Sequence, residues 1–124
     1  AKAIAMLPLM EIIKIGESRP EALPSGNRPL AGINVLDLTR VIAGPVCGKT
    51  LAEHGATVLH ITSPHLPSIL PLVMDTGFGK HAAHLDLNKL EEKETLIKLL
   101  KKADIFSQSY RPGGLAEKGF SYEE

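Results

Sequence analysis

Ile33-Asn34-Val35-Leu36-Asp37-Leu38-Thr39, then Gly44-Pro45 leading into Val46 to His54, then Gly55, then Ala56-Thr57-Val58-Leu59-His60-Ile61-Thr62, decide the fold class. The two outer runs are short, apolar and partly β-branched, the texture of buried strands. Proline suits an early helical position and glycine readily ends a helix, so the segment between them reads as a helix. Cys47 and Leu51 are expected on its inner face. Strand, helix and strand within about 30 residues make a βαβ unit, which implies a parallel sheet. The expected class is α/β.

Downstream the pattern repeats. Ser63 to Gly79 holds three prolines and two glycines and reads as a long loop with at most one helical turn. Loops of that length tend to be functional. His81-Ala82-Ala83-His84-Leu85-Asp86-Leu87 predicts a third strand, and Asn88 is placed to cap a helix over Lys89 to Lys102 with Leu96, Leu99 and Leu100 facing inward. Ala103 to Ser107 predicts a fourth strand, and Arg111-Pro112-Gly113-Gly114 turns into a last helix. Upstream, Ala5, Leu9, Ile12 and Ile13 have helical spacing interrupted by Pro8, which suggests a kinked helix ended by Gly16. Glu17 to Pro29 reads as an extended linker, so the chain divides into residues 1–28, a helix and linker from an upstream region, and 29–124, the α/β part.

Composition narrows the functions. The chain has 124 residues, enough for one domain, and 14 basic side chains balance 14 acidic ones. Zero net charge speaks against a general nucleic-acid binder, and 4% aromatics without tryptophan speak against a base-stacking platform. One cysteine excludes an internal disulfide and fits a reducing compartment. The expected location is intracellular and cytoplasmic, with mitochondrial or peroxisomal as alternatives. The apolar run Ala3 to Met10 is far too short to span a membrane, and no small-residue cleavage site follows it.

Chemistry is expected at the turn Arg40 to Gly48, because loops at the carboxyl ends of parallel strands hold ligands. Backbone N–H groups at a helix start favour a phosphate or carbonyl oxygen. The turn lacks G-x-G-x-x-G and Thr62 stands where a dinucleotide binder needs an acid, so a nicotinamide dehydrogenase fits poorly. Cys47 reads as a small buried hydrophobe rather than a nucleophile. His54, His60, His65, His81 and His84 show no ligand spacing, so no metal is expected. Glu91-Glu92-Lys93-Glu94 reads as a solvated first helical turn. Lys80, after Gly77-Phe78-Gly79, is either an exposed loop lysine or a cation that reaches an anionic ligand.

The blocks Pro29 to Thr39, Ala43-Gly44-Pro45 and Gly55-Ala56-Thr57-Val58 resemble the opening of the family III (CaiB/BaiF type) CoA-transferases. Gly79-Lys80-His81 resembles that family's G-K-R segment, Leu85-Asp86-Leu87 its next strand, and Lys101 to Gly113 its A-D-V-x-x-x-N-F-R-P-G block. The resemblance implies a Rossmann-like part, an incomplete fragment of the larger family fold, that binds coenzyme A or acyl-CoA. It implies transfer of CoA to a carboxylic acid through an aspartyl nucleophile lying beyond Phe120 to Glu123, hence no catalytic residue in this chain, and an interlocked homodimer. Asp37, Asp86 and Asp104 are read as structural strand residues. By position, Val41, Ile42, Ala43, Lys80, Ser109 and Tyr110 are the expected CoA-binding residues, and Lys80→Ala is expected to weaken CoA binding without unfolding the protein. The family pattern breaks at Thr62, Ser63, Ser109 and Glu117. These breaks speak for a non-catalytic packing module as an alternative. An acyl-CoA racemase of the same fold is a second, since the residues that separate it from the transferase lie beyond Glu124, and the extension ahead of Pro29 suggests a fused or duplicated parent.

Overall fold

The computed structural model of the chain describes Met6 and residues 8–121. Strands β1 (Asn34–Leu38), β2 (Thr57–Thr62), β3 (Lys80–His84) and β4 (Ile105–Gln108) form one sheet in the order β3-β2-β1-β4, with every neighbouring pair parallel. Helices α1 (Ala43–Glu53), α2 (Leu70–Thr76) and α3 (Leu90–Leu100) follow the first three strands, and a 3-10 turn spans Ala116–Lys118. The chain builds outward from β1 to β3, then crosses back to the far side of β1. That reversal lies between β1 and β4, the kind of position where open α/β sheets bind ligands. The expected parallel α/β sheet is the one that forms.

Alternation along β1 explains why both faces are covered. Leu36 and Leu38 point to one side, where Ile61, Leu87, Leu96 and Leu115 join them and Leu99 and Leu100 of α3 close the layer. Val35 points to the other side, with Ile33, Ala52, Ala56 and Val58 under α1. Leu96 is fully buried, and burial of one such side chain stabilises by roughly 1.5–3 kcal/mol. Among the described residues, no helix is long and apolar enough to cross a membrane.

Several local expectations are corrected. Cys47 is exposed, whereas Leu51 packs, half-buried, against the cluster under α1 as expected; the fully buried residues on the inner face of α1 are Pro45, Gly48 and Ala52. Small residues win that face because the helix lies close to the sheet: a Cβ at Gly44 would sit 2.3 Å from Thr39 Cβ. Pro8 to Ile15 forms no helix and is exposed, while Ala1 to Ala5 and Leu7 lie outside the described residues. An isolated segment of that length cannot repay helix nucleation without a surface to pack on. The loop after β2 contains two turns of helix, α2, started by Pro71. β3 begins at Lys80, after Gly79 turns with φ +78°, and ends at His84 because the Asp86 N–H leaves the ladder for Glu92 Oε2 at 2.5 Å. Asn88 does not cap α3; its side chain donates to Asp86 Oδ1 and accepts from Lys118. β4 starts two residues later than expected, so Asp104 lies outside it and accepts the Asn34 N–H at 2.8 Å, and Asp86 likewise follows β3. The expected last helix is a single 3-10 turn ended by left-handed Gly119.

Candidate functional site

The carboxyl ends of β1 and β2, helix α2 and the start of β3 enclose a cavity of about 330 Å³ on the α1 side of the sheet. Its walls are mainly apolar: Val41, Pro45, Leu66, Ile69, Leu72 and Val73. Thr39, Thr62, Ser63 and Ser68 add hydroxyls, and Arg40, His60 and Lys80 add nitrogen.

At its floor lies an ion pair. Lys80 enters at the start of β3, opposite Val58, and its stem runs across β2 toward β1. The ammonium donates to Asp37 Oδ2 at 2.9 Å and to the Pro45 carbonyl at 2.8 Å. The side chains of Lys80 and Asp37 are 2% and 0% exposed, which decides against an exposed loop lysine. Asp37 Oδ1 accepts from the Thr39 N–H at 2.9 Å and the Thr39 hydroxyl at 2.5 Å. His60 Nδ1 sits 3.4 Å from Asp37 Oδ2, within charge reach, but it has no formed hydrogen bond. Burial by itself pushes the Asp37 carboxyl up. The nearby His60 imidazole, the Thr39 hydroxyl, the Lys80 ammonium and the Thr39 amide outweigh it and hold the carboxyl well below the usual carboxylate range.

Above this floor the backbone makes an uncommon turn. Val41 has φ +73°, a left-handed conformation that a β-branched residue rarely adopts. Such strain costs about 1–3 kcal/mol and persists where the surroundings demand it. Asparagine tolerates this region, so Val41→Asn is expected to raise stability by about 1 kcal/mol in urea unfolding. A loss of stability would mean that the Val41 side chain contributes more than its backbone strain removes.

Of the six residues expected at the site, Val41 and Lys80 line the cavity. Ile42 and Ala43 lie beside it, exposed at the start of α1. Ser109 accepts the Arg40 N–H on its Oγ at 3.0 Å and so ties the end of β4 to the end of β1. Tyr110 packs against the leucine layer on the opposite face. The site also holds Asp37 and His60, which the sequence does not mark as site residues, and Arg40, marked only as the first residue of the turn Arg40 to Gly48. A carboxylate inside an otherwise apolar strand was the available signal for Asp37, since an unpaired buried charge is too costly to persist. Among the described residues, no group of three or more His, Cys, Asp or Glu could hold a metal ion.

Comparison with known proteins agrees with this architecture. Residues 30–124 match the model of CoA-transferase family III. The acetyl-coenzyme A transferase nodX of Hypoxylon pulicicidum is 43% identical over 105 residues, covering 85% of this chain and 18% of that protein. The formyl-CoA:oxalate CoA-transferase of Escherichia coli is 35% identical over 107 residues, covering 77% and 26%. The crystal structure of the hypothetical protein Rv3272 from Mycobacterium tuberculosis superposes with a TM-score of 0.72 at 27% identity, over 80% of this chain and 30% of that one. A CAIB/BAIF family protein from Brucella suis gives 0.67 at 29% identity, over 79% and 30%. The chain therefore spans less than a third of each of these relatives. Its parallel sheet, the order of its blocks and the match over residues 30–124 all lead to one assignment: the chain belongs to CoA-transferase family III.

Proposed function

We propose that this chain is the CoA-binding part of a transferase that moves coenzyme A from an acyl-CoA to a carboxylic acid. The observation that carries the reading is the cavity itself. Val41 from the β1–α1 turn at the carboxyl end of the sheet and Lys80 from the amino end of β3, separate in sequence, line one cavity on the α1 side of the sheet. Its mainly apolar walls suit an adenine or pantetheine, and its rim carries hydroxyls and a cation for polar groups. Ile42, Ala43 and Ser109 belong to this reading as neighbours of the cavity rather than its lining, and Tyr110 belongs to it from the opposite face of the sheet. The interlocked homodimer belongs to it too, as does an upstream unit ahead of residue 29.

The covalent chemistry falls to an aspartate outside this chain: its carboxylate attacks the thioester carbonyl and expels the CoA thiolate. The thiolate attacks the aspartyl carbonyl of the resulting anhydride and frees the donor acid. The acceptor carboxylate then repeats the two steps in reverse to leave as its CoA thioester. Asp37 is unsuited to that role: its carboxylate is fully buried and both oxygens are already bonded. The test uses the full-length protein. Calorimetry is expected to show CoA binding, and incubation with an acyl-CoA is expected to leave a covalent adduct on an aspartate outside residues 1–124. Absence of CoA binding and of turnover would reduce the protein to a packing module. Exchange of the proton next to the thioester carbonyl, without transfer, would make it a racemase.

A further inference from the structure

We infer that Arg40, not Lys80, is the cation that receives a phosphate group of the nucleotide in this cavity, an inference that rests on the CoA reading above. Three observations carry it. The Lys80 charge is already matched by Asp37, and its ammonium is held on two oxygens at the floor. No aspartate or glutamate lines the cavity, and among the described residues no carboxylate lies within 4.0 Å of the Arg40 guanidinium. Among the described residues the guanidinium has one hydrogen bond, donated to the Pro67 carbonyl, which orients it without cancelling its charge.

Its backbone is anchored as well. The Arg40 N–H donates to Ser109 Oγ, and the residue sits between buried Thr39 and left-handed Val41. A guanidinium presents five donors in a planar fork, so one bond to Pro67 leaves capacity for the paired oxygens of a phosphate. The end of β2 offers no competing cation, because Thr62 and Ser63 stand there, with Thr62 Oγ1 engaged to His84 Nδ1 at 2.7 Å. An anion in the cavity therefore meets, among the described residues, one positive charge without a carboxylate partner, at the tip of β1.

The experiment is CoA titration of the full-length protein and its Arg40→Gln and Arg40→Lys variants. Glutamine keeps an N–H donor for the Pro67 carbonyl but removes the charge. Arg40→Gln is expected to weaken CoA roughly tenfold to a hundredfold with its thermal midpoint unchanged, and to flatten the salt dependence of binding. Arg40→Lys is expected to fall between the two. Repeating the titration with dephospho-CoA locates the group: an equal loss assigns Arg40 to the pyrophosphate, a smaller loss to the 3′-phosphate. Wild-type affinity in a folded Arg40→Gln protein overturns the inference, and so does a loss of affinity that keeps the wild-type salt dependence. If the wild-type protein itself fails to bind CoA, it is the CoA reading that falls.

Discussion

Replacing Lys80 by methionine is expected to remove about 3–5 kcal/mol of stability, enough to unfold much of a marginally stable domain at room temperature. The variant keeps the stem that crosses β2 but leaves the Asp37 carboxylate buried without its cation. This outcome differs from the expectation that Lys80 changes binding alone, because the ammonium also joins three elements: β3, Asp37 on β1 and the Pro45 carbonyl in α1. Urea unfolding of Lys80→Met, Asp37→Asn and the double variant separates charge from packing. The double variant is expected to recover most of the loss, since a neutral pair needs no counter-charge. If Lys80→Met loses less than about 1 kcal/mol, the pair is not what holds this floor together.

The same pair sets an acid limit. The carboxyl of Asp37 is held below its unfolded value of 3.8, so protonation favours the unfolded chain. Its contribution is therefore fully present above that value and is lost as the pH falls below it. Asp37→Asn is expected to flatten the acid arm of a stability curve while leaving the slope above pH 5 unchanged.

Gly48→Ala is the second large effect, and its sign is the informative part. In an exposed helix the change would stabilise by about 1 kcal/mol through propensity. Here an added Cβ would lie 2.6 Å from Asp37 Oδ2 and 2.8 Å from Lys80 Nζ, inside contact distance of both members of the pair. Either α1 moves off the sheet or the ion pair opens, so the net expectation is a loss of about 2–4 kcal/mol by thermal or urea unfolding. Stabilisation by Gly48→Ala would show that α1 can shift freely over β1. The small residues of that helix face then acquire separate physical reasons: Gly48 makes room for the buried charge pair, Gly44 for Thr39, and Ala52 packs on the apolar cluster of Val35 and Val58.

The βαβ texture of residues 33–62 was sufficient to determine a parallel sheet, because apolar β-branched runs flanking a proline-started helix have few other ways to bury themselves. The leucines of α3 declared their face in the same manner, through spacing alone. Local patterning placed Leu51 inward but could not determine the centre of the inner face of α1, since the small residues Pro45, Gly48 and Ala52 carry almost no hydrophobic signal beside Cys47. Nor could it show that Asp37 and Lys80, 43 positions apart, neutralise each other, or that Arg40 stays unbalanced a few residues from that pair. Charge pairing at a distance depends on which strands become neighbours, and strand order is a property of the assembled sheet.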